Sequence, residues 1–397
     1  MAKQFDVVVA GHICLDIIPA LTESQSRAED LFVPGRLVSV GPATMTLGGA
    51  VANTGIALYR LGTSTQLMGK VGDDLLGTLI LESLRKIDRC LAEGIIVAPG
   101  ESTSYTIVIS PPGVDRSFLH CPGANDTFSG ADLELESLTD ARLVHFGYPP
   151  LMQRLLSDGG DDLAQRLRHA QRSGALVSLD MAMPDINAPD GHFDWKKWLR
   201  RVLPSVDFFM PSFDEILWML DPERYQQLAG LAEGNNLASV ADLSLFERIA
   251  QELIELGSPL VAIKLGDCGI YLQTHPHTAQ LLAERSEWQA FDWQAWQGCR
   301  LWAPCFDVEV VGTTGAGDCT IAGIIMALLQ GLAPAQALSH ATAVGAWCVQ
   351  SRDATSNIPA WSVVEQKRQH PWPLRQPTFR LDGWTLCEQT GVYAAPG

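Results

Sequence analysis

Residues 311–323 read VGTTGAGDCTIAG, and the centre of the stretch is the run GTTGAGD from Gly312 to Asp318. A strand-like run, Val308 to Val311, leads into it, and a run of small and apolar residues, Cys319 to Leu329, leads out. The pattern is strand, glycine turn, helix. Backbone N–H groups of Gly315, Ala316 and Gly317 can converge on one negative charge, because no bulky side chain blocks the approach. The dipole of the following helix adds to that anion hole. Asp318 is poorly suited to bind an anion there. It is well suited to remove a proton from a hydroxyl about to attack phosphorus. The same residues would also serve a helix that begins on a glycine turn with Asp as a cap, and the motif alone does not choose between these.

Outward from this stretch, strands alternate with helices. FDVVVAGHICLDII, from Phe5, reads as a buried strand, and GGAVANTGIALYRLG (48–62) as a helix that places Val51, Gly55, Leu58 and Leu61 on one face and stops at Gly62. STQLMGKVG, RLVHFGY, ALVSLD, VDFFMP and PLVAIKLG read as further strands. LLGTLILESLRKI, LAQRLRHAQRSG, WKKWLRRVLP and LFERIAQELIELG read as the helices between them. This alternation predicts a mostly parallel sheet with helices on both faces. TSYTIVIS and SFLH, joined by a PPGVDR turn, form a hairpin outside that alternation. With GRLVSV and TMTL they are expected to make a small second sheet, a lid of about 12–47 and 101–125. Residues 276–304 read as a tryptophan-rich insertion or surface excursion, and 370–397 as a tail of unknown role following a domain of 1–369.

The 397 residues are 47% hydrophobic and 18% charged, as expected of a globular chain with a large core. A formal net charge of -17 argues against nucleic-acid binding through a basic face. No run approaches the ~18 apolar residues of a membrane span, and no signal peptide is visible. The nine cysteines include no C-x-x-C pair, so reduced thiols in the cytoplasm are expected.

Three other stretches could carry chemistry. In GGAVAN the pair Gly48–Gly49 lets a ligand approach the backbone, and Asn53, one turn into the helix, can hold sugar hydroxyls. A surface turn followed by a surface Asn would look alike. In VAIKLGDCG a strand ends at Lys264 and the turn Gly266 to Gly269, which could pass under a nucleotide. In PSFDE, Asp214 and Glu215 follow a strand and could orient water on a magnesium ion, or simply start a helix with favourable charge. There is no P-loop, no complete G-x-G-x-x-G after the first strand, no H-E-x-x-H and no G-x-S-x-G. A dinucleotide-dependent oxidoreductase is therefore a poor reading.

Together these motifs resemble the ribokinase-like (PfkB) carbohydrate kinase family. GGAVANTGIALYRLG with GKVGDDLLG is similar to its N-terminal signature, and VGTTGAGDCTIAG to its C-terminal one. The hairpin and the following loop resemble its lid, and VAIKLGDCG its nucleotide strand. The matches keep family order across about residues 5 to 360. The resemblance implies a three-layer α/β/α sandwich with a small β lid, and ATP and Mg2+ as cofactors. It implies Asp318 as catalytic base and Gly315, Ala316 and Gly317 as the anion hole. Asp16, Gly48, Gly49 and Asn53 match acceptor-binding positions. Lys264, Gly266, Gly269, Ser212, Ala343 and Ala346 match the nucleotide site, and Glu215 the magnesium-linked Glu. The lid implies a homodimer.

The departures are specific. Gly312 stands where the signature has an Asp that binds a monovalent cation, and Asp353 where that cation's loop commonly has Gly, so the sequence leaves the cation site open. Ser212 replaces an Asn, and Gly147 with Tyr148 occupies the region of a ribose-contacting Glu. The expected activity is transfer of the γ-phosphoryl group of ATP to a hydroxymethyl group of a carbohydrate, with ribose itself less expected than the family at large. The rivals are a nucleoside kinase, with Tyr105, Phe118 and Tyr148 available for stacking, and a catalytically weak sugar- or nucleotide-binding protein of the same fold.

Overall fold

The computed structural model describes residues 3–21, 31, 34–111, 117–185 and 193–396. In chain order the strands are β1 (Phe5–Gly11), β2 (Cys14–Pro19), β3 (Ala43–Gly48), β4 (Thr65–Gly72), β5 (Ile95–Ala98), β6 (Tyr105–Ile109), β7 (Ser117–Cys121) and β8 (Ala141–Gly147). They continue with β9 (Leu176–Asp180), β10 (Phe208–Phe209), β11 (Leu260–Lys264), β12 (Ile270–Thr274), β13 (Arg300–Ala303), β14 (Thr385–Cys387) and β15 (Val392–Ala394).

Two sheets result among the described residues. The larger has the order β14-β15-β13-β12-β11-β10-β9-β8-β1-β4-β5. It is parallel from β5 through β11 and antiparallel from β12 outward. The alternation of residues along β1 shows why no polar period of two is visible there: Val7 and Val9 enter one core, Val8 and Ala10 the other. A parallel sheet covered on both faces needs apolar residues at successive positions. Helices Ala50–Leu61, Ala316–Leu329 and Pro334–Val349 cover the first face. Helices Asp161–Arg172, Trp195–Val202 and Leu243–Glu255 cover the second.

The small sheet has the order β3-β2-β6-β7. The single strand expected from Phe5 onward is two strands: β1 stays in the main sheet, His12–Ile13 turns the chain, and β2 crosses into the lid. TMTL lies in β3 as expected, but GRLVSV forms no strand and lies exposed. Most of the hairpin turn, residues 112–116, falls outside the described residues.

Two further expectations are corrected. Val308–Val311 is not a strand: Val311 and Gly312 donate their N–H groups to Val349 O at 2.8 and 3.1 Å, and the neighbouring Phe306 bridges to Leu374 of the tail instead. Residues 276–304 are not a surface excursion. Trp288, Trp293 and Trp296 are buried, and the indoles of Trp288 and Trp296 donate to Arg142 O and Leu332 O. Tryptophan buries a large ring when its N–H finds an acceptor, so a Trp-rich run is as consistent with core as with surface. The segment from 370 onward folds back on the sheet, with Phe379 and Tyr393 against Trp302 and Trp384 against Tyr271. Among the described residues no helix is long and apolar enough to cross a membrane.

Candidate active site

A cleft of about 1010 Å³ opens between the lid and the carboxyl ends of β1 and β8. Ligands of open α/β sheets bind at this end of the strands. Asp16 and Thr106 reach it from the lid, and Gly49, Asn53, Tyr148, Glu215, Gly315 and Asp318 from the main domain. Gly48 stands behind Asp16: a Cβ there would lie 2.5 Å from Asp16 Oδ2, so a larger residue would displace that carboxylate.

Asp318 is the third residue of helix Ala316–Leu329 and is buried. Gly315 ends the preceding loop at φ 72, and a Cβ on it would come 2.3 Å from Ala354 Cβ. Both facts demand glycine. The small-residue run after Asp318 has a packing cause: a Cβ at Gly323 would lie 2.8 Å from Ala341 Cα of the neighbouring helix. Of the three backbone N–H groups expected to form the anion hole, that of Ala316 turns back to Thr313 O at 3.3 Å.

Three side chains donate to the Asp318 carboxylate. Tyr148 Oη lies 2.8 and 2.9 Å from its two oxygens, Asn53 Nδ2 lies 3.0 Å from Oδ2, and Thr54 Oγ1 lies 3.4 Å from Oδ1. Burial pushes the Asp318 pKa up, while the Lys264 ammonium and these donors pull against it. Tyr148 is one of two described non-glycine residues with positive φ, at 65°. Backbone strain of this kind collects at functional sites. The hydroxyl's partnership with Asp318 is not readable from the sequence, where the ring looks available for stacking. A bulky residue in a β-strand-to-helix turn, just after a glycine, is the only trace of it.

Lys264 closes the back of the site. Its Nζ lies 2.5 Å from Asp180 Oδ1, and its side chain runs 3.4 to 3.7 Å from where a Gly317 Cβ would stand. Burial lowers the Lys264 pKa, but Asp180 and Glu215 outweigh it and the net direction is up. Burial raises Asp180 to about 6 and Glu215 to about 8, in each case against the pull of Lys264. Asp180, at the end of β9, was missed in the sequence because no motif marks it. Asp180 Oδ2 is buried without a hydrogen-bond partner. Glu215 Oε2 accepts from Ser212 N at 2.8 Å, which starts helix Phe213–Leu220. Asp214 and Glu215 therefore begin a helix, and Glu215 also faces the cleft.

The other expected nucleotide residues do not line this cleft. Gly266 opens a 3-10 turn to Cys268, and Asn236 Nδ2 holds that turn at Leu265 O, 2.7 Å. Ala343 and Ala346 are buried on helix Pro334–Val349.

The signature of a pfkB family carbohydrate kinase matches residues 4–361. The chain belongs to this family. The kinase is thus a phosphotransferase that moves a phosphoryl group from ATP to a sugar hydroxyl. It is similar to an uncharacterized sugar kinase of Archaeoglobus fulgidus, 26% identical over 77% of this chain and 98% of that one. It is also similar to the 2-dehydro-3-deoxygluconokinase of Bacillus subtilis, 26% identical over 82% of this chain and 87% of that one. Among solved structures, Arabidopsis thaliana ribokinase complexed with ribose and ATP superposes with a TM-score of 0.64 at 21% identity, over 92% of the kinase and 98% of that chain. That likeness supports the ribokinase-like α/β fold.

Proposed function

We propose that the kinase phosphorylates a hydroxymethyl group of a sugar, with Asp318 as the general base. The observation that carries this reading is a buried carboxylate at a glycine-led helix N-terminus, fixed by Tyr148 and Asn53 and facing the lid cleft. The acceptor hydroxyl gives its proton to Asp318 as its oxygen bonds to the γ-phosphorus, and the bond to the β-phosphate oxygen breaks to release ADP. With the Ala316 N–H turned to Thr313 O, those of Gly315 and Gly317 are left for the charge that develops on the transferred group, and Lys264 adds a cation beneath the loop. Asp16, Gly48 and Gly49 bound the acceptor, while Asn53 serves both the acceptor and Asp318. Gly266, Gly269, Ser212, Ala343 and Ala346 are the nucleotide-facing set.

Among the described residues no three His, Cys, Asp or Glu side chains cluster as a metal site. This fits a Mg2+ carried mainly by the nucleotide phosphates, with Asp180 and Glu215 as the carboxylates able to hold its water. Bound there, Mg2+ would neutralise phosphate charge. Gly312 supplies no carboxylate for a monovalent cation. Asp353 does not replace it, since its Oδ1 accepts from Thr355 N at 3.1 Å and Ser356 N at 2.7 Å and its Oδ2 from Ser356 Oγ. A Cβ at Gly312 would lie 2.8 Å from Ser351 O, so the loop is closed by packing. We infer weak dependence on K+.

A homodimer through the lid is supported by Met45 and Leu119, about half exposed on β3 and β7. All nine cysteines are free, in keeping with a reducing cytoplasm. The deciding experiment is ADP release with a panel of sugars and nucleosides, with phosphorus NMR to locate the new ester. Turnover of nucleosides alone would replace the sugar reading.

A further inference from the structure

The segment from residue 370 lies beyond the family signature, which ends at 361, and has no task in the scheme above. It nevertheless touches both parts of the nucleotide-facing set. Residues 373–375 run beside 305–307: Asp307 N donates to Pro373 O at 2.7 Å, Arg375 N donates to Cys305 O at 2.9 Å, and Leu374 bridges to Phe306 between them. On one side of this short ladder the ring of Trp372 meets Trp347 edge to face at 5.1 Å, and Trp347 follows Ala346 on helix Pro334–Val349. On the other, Arg375 Nη1 donates to Asp267 Oδ2 at 3.0 Å, and Thr378 Oγ1 lies 3.4 Å from Cys268 Sγ. Asp267 and Cys268 fill the turn from Gly266 to Gly269. The tail therefore joins the turn to the helix.

The turn carries an electrostatic problem of its own. Asp267 places a carboxylate between the two glycines where a polyphosphate would lie, and like charges repel. Both oxygens of that carboxylate are taken: Asn236 Nδ2 donates to Oδ1 at 2.6 Å, and the Arg375 guanidinium donates to Oδ2. Asn236 brings a dipole. Arg375 brings a full charge that no working pH removes. The side chains of Arg375 and Asp267 are 39% and 60% exposed, so water screens part of the cancellation and its effect on a bound nucleotide is modest.

We infer that Arg375 is a positioning residue for the nucleotide: it acts through Asp267, cancelling the charge of the turn so that the phosphates of ATP can approach. This deepens the kinase reading and rests on its placing of ATP at Gly266 and Gly269. It gives the tail a part in nucleotide binding, from a stretch of chain outside the family signature.

The test measures the Kd of MgADP by calorimetry and the KM of ATP by ADP release, in the full chain. Arg375→Gln should raise both about three- to fivefold, the scale of an exposed ion pair, with the acceptor KM and the kcat at saturating ATP unchanged. In about 0.5 M NaCl the gap should shrink below about twofold, because salt screens exposed charges. Arg375→Lys, which keeps the charge, should stay within about twofold of the wild type. Asp267→Asn should tighten the nucleotide, and combined with Arg375→Gln it should return Kd and KM to within about twofold of the wild type. Asp267→Asn that weakens the nucleotide as much as Arg375→Gln overturns the inference, since a mere brace for the turn fails whichever partner is lost. An unchanged Kd and KM in a folded Arg375→Gln overturns it too, and sugar-dependent ADP release in that variant would leave the kinase reading intact. MgADP binding that shifts as expected, in a protein that releases ADP with no acceptor, would sink the kinase reading while leaving the role of Arg375 standing.

Discussion

At the scale of single residues, the site turns on how Asp318 is held. Asp318→Asn should lower kcat by about 10²–10⁴, the usual contribution of a positioned base, with no fall in Tm. Burial already disfavours the charge there, so a neutral amide costs the fold little. Near-normal turnover would remove Asp318 from the chemistry. Tyr148→Phe tests the clamp. The tyrosine hydroxyl favours the ionised carboxylate, so its loss should raise the Asp318 pKa further. A base must be ionised to act, and the acid limb of kcat/KM should therefore move to higher pH. A pH–rate profile superimposable on the wild type would show that the hydroxyl does not tune the base. Glu215 gives a stability test of opposite sign to the usual carboxylate. Its folded pKa of about 8 lies above its ordinary value, so between about pH 4.3 and 8 the unfolded chain releases the proton first and rising pH disfavours folding. Glu215→Gln should then melt higher than the wild type at pH 7.5 without nucleotide, by about 2 °C or more, and show no such gain at pH 4. Asp318 and Glu215 were legible in the sequence because each sits in a short motif. Asp180 and Tyr148 were not, because each matters through contacts across 84 and 170 residues of chain respectively.

At the scale of elements, the loop from Gly312 to Gly315 and the loop 351–356 behave as one unit. Gly312 N bonds to Val349 O, Gly315 leaves no room beside Ala354, and Cys319 Sγ donates to Ala354 O at 3.1 Å. Gly315→Ala would place a methyl group into Ala354 at a φ that side chains resist. It should lower kcat by about 10² or more, as loss of one anion-hole donor does, measured under saturating ATP. Replacing K+ by tetramethylammonium at constant ionic strength should change turnover less than about tenfold. A larger loss would mean the packed loop still needs an ion. The sequence conveyed this turn well, because glycine requirements are local. It misread the approach to it, since Val308–Val311 has strand propensity but no strand to pair with. Leu374, 68 residues beyond Phe306 in sequence, has taken the adjacent bridge. Partners of that kind are outside the reach of local pattern.

At the scale of the molecule, the parallel half of the main sheet was legible from the alternation of strands and helices, and the antiparallel half was not. β14 and β15 are short and exposed in part, and nothing in their composition announces a sheet edge. Deleting residues 370–397 would uncover Trp302 and Tyr271. It should lower Tm by about 5 °C or more in scanning calorimetry, whereas an unchanged melt would show the tail to be an appendage. The tryptophans carry a consequence for light emission. Trp195 and Trp218 line the cleft, whereas Trp288 bonds to Arg142 at the start of β8, the far end of the strand that finishes beside Tyr148. Seven residues of strand separate the two groups by about 20 Å. Of the other indoles that do not line the cleft, Trp198, Trp293, Trp296, Trp302 and Trp361 are buried, and Trp347, Trp372 and Trp384 are half-buried. Intrinsic fluorescence should consist of a ligand-insensitive background from these, with a minor component from Trp218 that ligands quench. Partial quenching of that emission would then follow acceptor binding in the unlabelled protein.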